Sequence, residues 1–254
     1  MKTKAYILMG GLLMTSPIFS QAQSIGQAAM DAIQLATLSD EQIVQLSRQA
    51  VEQMDAQNPV AGPGDPYAAR LNRIVARHRT VSGIPMNYKV YKVKDVNAFA
   101  TADGSVRVFQ GLMDIMTDAE LLAIMGHEIG HVVNKDTRDA MKNALKRSVA
   151  LNLIGSGGGT LAALTRSQAA ALGNALYGAG FSRKQETEAD DYGYGFLKRN
   201  RYNVLALATS FEKLAAMSGG RGGGRVAEVL SSHPDSQRRA QRIRDMARRD
   251  GLKR

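Results

Sequence analysis

The sequence predicts an α+β fold that is mostly helical and contains a small β-sheet. Apolar residues recur at helical spacing in several stretches, whereas residues 86–110 change to the alternation that is typical of strands. The chain has 254 residues, of which 44% are hydrophobic, and this is enough for one substantial core. We therefore expect a single domain over residues 23–254.

The first 22 residues have the three parts of a secretory signal peptide. Lys2 and Lys4 form a basic start, residues 5–14 form an apolar segment, and Ser20-Gln21-Ala22 is a small-x-small cleavage site. The apolar segment is too short for a bilayer-spanning helix, and no cysteine follows the cleavage site. The sequence therefore predicts export with cleavage of the signal and without a lipid anchor.

Two helices are predicted before the sheet. Ser39 and Gln42 form a capping box that opens the first helix, which is expected to end near residues 58–59. Asp65 caps the second helix, which is expected over residues 66–80 with a proline at its first position. This helix carries His78, for which we expect a structural or solvent-facing position.

Three strands are predicted next, over residues 86–93, 96–101 and 106–110, with a turn at residues 102–105 between the last two. The helix that follows is marked at its start by Thr117 and Glu120, which form another capping box. Leucine, isoleucine and methionine dominate its first turns, so it is expected to be a core element.

That core helix contains the motif His127-Glu128-Ile129-Gly130-His131. Side chains four residues apart lie on the same face of a helix, so His127 and His131 can bind one metal ion together. Glu128 then lies beside the ion, where it can take the proton of a zinc-activated water. The alternative is a surface helix with two incidental histidines, which the apolar flanks disfavour.

A catalytic zinc site needs a third protein ligand. Glu186 and Asp190 are four residues apart in a predicted helix over residues 185–197, so one can bind the metal while the other orients a ligand histidine. We assign Glu186 as the ligand and Asp190 as the orienting residue, with Glu188 as the competitor for the ligand position. A solvated acidic helix start is the alternative.

These motifs, together with Asn97-Ala98-Phe99-Ala100 upstream and His233-Pro234 followed by Arg239 downstream, resemble the HtpX-type zinc metallopeptidases. Within that family, the envelope proteases of the LoiP and BepA type are most similar. The resemblance covers the chain from about residue 38 to its end. It implies a zincin-like (gluzincin) fold and a zinc-dependent endopeptidase in the periplasm or peripherally at the outer membrane.

The resemblance also implies roles for individual residues. It implies that Glu186 rather than Glu188 is the ligand, and that His233 approaches the zinc, either stabilising the oxyanion or occupying the open position. Arg239 is expected to pair with a carboxylate near the site. The strand that holds Asn97, Ala98, Phe99 and Ala100 is expected to be an edge strand to which an extended peptide substrate adds.

The remaining segments are less specific. Residues 136–180 are rich in alanine, leucine and glycine and predict two helices joined by a flexible turn, either a lid or an ordinary helical hairpin. Residues 219–224 predict a loop that brings His233 back toward the metal. The C-terminal helix is basic, since residues 233–254 contain eight Arg or Lys against three Asp.

The composition excludes several classes of function. The chain has no cysteine, which excludes disulfides, thiolate ligands and cysteine nucleophiles. Its net charge of +10 is not accompanied by a nucleic-acid recognition module, so we expect no nucleic acid partner. The predicted partners are unfolded or misassembled envelope polypeptides, with association to the outer membrane or its assembly machinery. The alternative function is a metal-containing chaperone or assembly factor with little proteolysis.

Overall fold

The computed structural model describes residues 37–150, 165–178, 180–218 and 223–252. The predicted signal peptide and the glycine-rich centre of residues 136–180 lie outside these residues. The helices in the described part are α1 Asp40–Gln57, α2 Pro66–Ile74, α3 Gln110–Ile115, α4 Asp118–Val133, α5 Asp136–Ala150, α6 Arg166–Tyr177, α7 Arg183–Arg199, α8 Leu205–Ser218, α9 Gly223–Ser232 and α10 Ser236–Arg249. The strands are β1 Thr80–Val81, β2 Ile84–Pro85, β3 Asn87–Tyr91, β4 Ala98–Ala100 and β5 Ser105–Phe109. The mostly helical α+β prediction is confirmed.

The main sheet has the strand order β3-β5-β4. Strands β3 and β5 are parallel, and β4 is antiparallel to β5 with Phe99 opposite Arg107. The predicted strands at residues 86–93 and 96–101 are present with shorter bounds, and the strand predicted at 106–110 begins and ends one residue earlier. Within this sheet β4 is an edge strand, as predicted.

The second helix is shorter than predicted, because α2 ends at Ile74 rather than near residue 80. Residues 80–85 form a two-stranded hairpin, β1 and β2, whose turn residues Ser82 and Gly83 both have positive φ angles. Such a two-residue turn matches the twist of a hairpin and cannot continue a helix. His78 consequently lies off the helix, where it is buried and its Nε2 is 3.1 Å from the Tyr202 hydroxyl. Its role is structural, and the solvent-facing alternative is wrong.

Helix α4 lies at the centre of the core, and nearly all of its residues are buried. It packs closely against α7, and two glycines make this contact tight. A Cβ atom on Gly130 would lie 2.9 Å from the carbonyl oxygen of Ala189, and one on Gly193 would lie 3.1 Å from the backbone nitrogen of His127. The absence of a side chain at these positions brings the backbone of α7 beside the histidine motif.

Helices α5 and α6 confirm the two predicted helices within residues 136–180. The predicted loop at residues 219–224 is wrong for its last two residues, because Gly223 begins α9, and residues 219–222 lie outside the described part of the chain. Val226 and Val229 are buried on that helix and pack in the main core. Their burial outweighs the low helix propensity of glycine. No helix in the described ranges combines the length and apolarity that a membrane span needs.

Candidate metal centre and active site

The two motif histidines converge as their spacing predicts. The capping box of Thr117 and Glu120 is present, so α4 begins where it was expected and carries both histidines on one buried face. The Nε2 atoms of His127 and His131 are 3.2 Å apart. Both rings are therefore placed to bind one ion.

Glu186 brings a carboxylate from α7 to this pair. Its Oε2 lies 3.7 Å from His127 Nε2, and its Oε1 lies 3.3 Å from His131 Nε2. Glu188, the competitor, is exposed and points to Lys184 on the same helix. Glu186, and not Glu188, therefore lies beside the two histidines.

His233 completes the cluster from the segment that follows α9. Its Nδ1 lies 3.3 Å from His127 Nε2 and 2.8 Å from Glu186 Oε1. Donor atoms of His127, His131, Glu186 and His233 all lie within 4.8 Å of one another, and all four residues are buried. The expected approach of His233 to the metal ligands is thus present in the structure.

This donor set fits a zinc ion. Bonds of about 2.0–2.1 Å in tetrahedral geometry place neighbouring ligand atoms roughly 3.3 Å apart. Five contacts within the cluster measure 2.8–3.7 Å, close to that value. His127, His131 and Glu186 are the predicted ligands, and the His233 nitrogen is a fourth donor atom in the same cluster.

Each ligand histidine is oriented by a carboxylate on its other nitrogen. Asp190 Oδ1 lies 3.1 Å from His127 Nδ1, as the orienting role predicted. Asp136 Oδ2 lies 2.9 Å from His131 Nδ1, and this partner was not predicted. Such partners fix the ring orientation and raise the basicity of the ligand. Asp136 opens α5 directly after a short turn, so its closeness in sequence to His131 was the available signal.

Arg239 lies on α10 and contacts two carboxylates of the site. Its Nε and Nη2 atoms donate to Asp190 at 2.9 and 2.6 Å, and its Nη1 contacts Glu186. The guanidinium also lies 4.1 Å from the ring centroid of Phe211. Arg238, its neighbour, is largely exposed. The predicted pairing of Arg239 with a carboxylate near the site is present, with two carboxylates rather than one.

The surroundings set the protonation of these groups. Burial alone would raise the pKa of Asp190 and of Glu186. For Asp190 it is outweighed by Arg239 and His127, and for Glu186 by His233, His131 and His127, so that both pKa values lie below their usual range. Burial and the charge of Arg239 lower the pKa of His127. For His131 burial is outweighed by the hydrogen bonds to Asp136 and Glu186, which raise its pKa to about 9. In the metal-free protein, therefore, a proton on His131 competes with the metal.

Phe181 is a further site residue that sequence reasoning missed. Its ring stacks on His131 with the centroids 3.8 Å apart and the planes 12° apart. It lies between α6 and α7, and a single phenylalanine in such a connection carries no pattern. Its contact shields the metal-binding ring from solvent.

Glu128 is buried beside the cluster and lines a cavity of about 30 Å³. One wall of this cavity is formed by the four predicted substrate-binding residues, Asn97, Ala98, Phe99 and Ala100. His233 Nε2 lies 3.7 Å from Oε1 of its carboxylate. The structure thus joins the edge strand, the acid of the motif and His233 in one cleft.

The pairing of β4 with β5 determines which backbone N–H and C=O groups of β4 remain at its free edge. The carbonyl of Asn97 accepts from Phe109, and the amide of Thr101 donates to Ser105, so the odd-numbered residues bond to β5. In an antiparallel ladder the residues between them point their N–H and C=O groups the other way. Ala98 and Ala100 therefore present their backbone groups at the free edge.

Comparison with known proteins agrees with this geometry. The family model described as "Peptidase family M48" matches residues 67–247 of the chain. The chain belongs to peptidase family M48. This assignment confirms the predicted zincin-like fold and replaces the looser HtpX-type label.

Curated M48 relatives are similar over most of the chain. It is 44% identical to Metalloprotease LoiP of Escherichia coli (strain K12) over 88% of this chain and 87% of that protein. It is 39% identical to Metalloprotease YcaL of the same organism over 86% and 85%. It is 30% identical to the Beta-barrel assembly-enhancing protease of that strain over 83% of this chain, but over only 46% of that longer protein. The protein is therefore a metalloendopeptidase, and its activity depends on a metal ion.

Proposed function

We propose that this M48 protein is a zinc-dependent endopeptidase of the bacterial envelope that hydrolyses unfolded or misassembled polypeptides. The observation that carries the proposal is the cluster of His127, His131 and Glu186, whose donor atoms lie within 4.8 Å of one another beside the buried Glu128. A structural zinc site would have no need for a general base next to it.

The residues present support a water-mediated mechanism. The bound metal would supply Lewis-acid chemistry, which lowers the pKa of water and polarises the scissile carbonyl. Glu128 takes a proton from the attacking water as its oxygen bonds to the carbonyl carbon. When the carbon–nitrogen bond breaks, Glu128 passes that proton to the leaving amine. Asp190 and Asp136 keep the two ligand imidazoles oriented throughout.

The substrate is proposed to bind to strand β4. Ala98 and Ala100 offer backbone donors and acceptors at the free edge, and both residues line the cavity beside Glu128. A peptide that pairs there adds a strand by main-chain hydrogen bonds, which select little for sequence. This binding suits an enzyme that acts on many unfolded polypeptides.

His233 is proposed to hold the enzyme in a resting state in this conformation. Its Nδ1 lies 2.8 Å from Glu186 Oε1 and 3.3 Å from His127 Nε2, and the cavity beside Glu128 measures only about 30 Å³. Turnover then requires His233 to leave its position among the ligands. After this movement its ring can stabilise the oxyanion instead. The left-handed φ angle of 64° at Asp235, two residues further on, marks the backbone around which such a change can occur.

Location and partners are proposed from the predicted signal peptide and from the relatives. The name of the Beta-barrel assembly-enhancing protease couples proteolysis to barrel assembly in that protein. We extend this to the present chain as an association with the outer membrane or its assembly machinery. Fractionation of cells with an antibody to the protein tests the periplasmic location.

The decisive experiment measures bound zinc and cleavage of casein by the wild type and by Glu128→Gln, with and without a chelator. We expect Glu128→Gln to retain one zinc per chain and to lose turnover, because only the base is removed. Cleavage at the wild-type rate by Glu128→Gln would contradict the mechanism. Zinc binding without cleavage by the wild type, while unfolded protein is still bound, would favour the chaperone or assembly factor instead.

A further inference from the structure

The cleft contains two buried polar atoms that have no hydrogen-bond partner among the described residues. They are Oδ1 of Asn97 and Oγ1 of Thr137. Asn97 is 2% exposed and Thr137 is 3% exposed, and both line the cavity beside Glu128. Buried polar groups without partners are rare and destabilising, so two in one cavity need an explanation.

The two residues come from different elements that line the cleft. Asn97 immediately precedes the edge strand β4, whereas Thr137 lies in the first turn of α5. Thr137 follows Asp136, whose carboxylate holds His131. The residue before Thr137 therefore contacts the metal centre, and this contact holds the start of α5 beside the cavity.

We propose that Thr137 is a substrate-binding residue that holds the peptide main chain from the side opposite β4. A hydroxyl both donates and accepts, so it can bond to a main-chain carbonyl or amide whatever the side chain of the substrate. The side-chain oxygen Oδ1 of Asn97 accepts from a main-chain amide of the substrate in the same way. The peptide is thus gripped between the edge strand and the start of α5. This inference rests on the proposed function and adds to it a second binding surface for the peptide, at the start of α5.

A matched pair of variants isolates the hydroxyl. Thr137→Val keeps the shape of the side chain and removes the hydroxyl, whereas Thr137→Ser keeps the hydroxyl and removes the methyl group. We expect Thr137→Val to lower kcat/KM for casein about 3- to 10-fold, as the loss of one hydrogen bond implies, and Thr137→Ser to stay within about twofold of wild type.

Thermal stability separates binding from a structural role. Because the hydroxyl has no partner in the described part of the protein, Thr137→Val should have a Tm equal to or above that of the wild type. A hydroxyl that stabilises the fold would give the opposite sign. A lower Tm for Thr137→Val with an unchanged kcat/KM would overturn the proposal.

Binding is also measured without cleavage, so that the failure of this inference is distinguishable from the failure of the proposed function. Fluorescein-labelled casein is titrated with Glu128→Gln and with the double variant that adds Thr137→Val. The double variant should bind about 3- to 10-fold more weakly even if the wild type proves to have no proteolytic activity. Equal affinities of the two proteins, or no binding by either, would overturn the role of Thr137.

Discussion

Asp136 is expected to control metal affinity through His131, and the substitution Asp136→Asn tests this. The carboxylate lies 2.9 Å from His131 Nδ1, and both side chains are buried. Loss of such an orienting partner typically weakens metal binding 10- to 100-fold. Asp139 lies one turn further along α5 and is exposed, so Asp139→Asn is a matched control that removes the same charge from the same helix.

The pH of the assay determines how much of this loss is visible. Hydrogen bonds to Asp136 and Glu186 raise the pKa of His131 to about 9 against the effect of burial, so the proton must leave before zinc binds. Wild-type zinc affinity should therefore rise up to about tenfold per pH unit between pH 7 and 9. Asp136→Asn removes the orienting partner, which lowers zinc affinity. It also weakens the binding of the competing proton to His131, which raises zinc affinity, so the two effects oppose each other at pH 7.

The measurement is a competition titration in zinc-buffered solution at pH 7 and at pH 9. At pH 9 the proton no longer masks the loss, and we expect Asp136→Asn to bind zinc about 10- to 100-fold more weakly than the wild type. At pH 7 the difference should be smaller. If Asp136→Asn and Asp139→Asn had the same zinc affinity at both pH values, the orienting role of Asp136 would be refuted.

Two predictions concern stability. Gly130→Ala should lower the free energy of unfolding, measured by urea titration, by about 1–3 kcal/mol, because its Cβ would lie 2.9 Å from the Ala189 carbonyl oxygen. Gly62→Ala is the control, because a Cβ atom there would have no atom within 4 Å. Asp55→Asn should destabilise the protein by roughly 3 kcal/mol at pH 7, because it leaves the buried Arg107 without its charged partner. Burial raises the pKa of Asp55, but hydrogen bonds from Arg107 outweigh this and lower it, so the stabilisation is present above the unfolded-state pKa and is lost as the pH falls through the folded-state pKa. Urea titrations from pH 7 to pH 3 should therefore show the difference between wild type and Asp55→Asn shrinking, and a constant difference would contradict the ion pair.

The parts of the site that the sequence predicts are those that depend on spacing within one helix. His127 and His131 share a face of α4, and Glu186 and Asp190 share a face of α7, because residues four apart in a helix are neighbours. Capping boxes gave the starts of α1 and α4 for a similar reason, since both partners lie three residues apart. These features depend on residues only three or four apart, and they were predicted correctly.

The parts that sequence reasoning missed depend on contacts between elements. Phe181 becomes a site residue only because α7 packs against α4, and Thr137 becomes one only because the start of α5 faces β4 across the cleft. The position of His78 shows the same limit. Its neighbourhood has helical spacing, yet the chain forms a hairpin there, because Ser82 and Gly83 adopt positive φ angles and His78 packs against Phe196.

The formal charges of the buried shell connect the metal to the C-terminal segment. Four buried carboxylates, those of Glu128, Asp136, Glu186 and Asp190, surround the cluster, and Arg239 is the one buried arginine or lysine that contacts them in the described part of the chain. With neutral imidazoles the formal charge is −3, and a divalent cation reduces it to −1. Buried charge of one sign is unfavourable unless it is paired, so the acids of α4, α5 and α7 require both the metal and α10. The C-terminal helix, which composition alone marks only as basic, thus contributes the one fixed positive charge around which the metal centre is built.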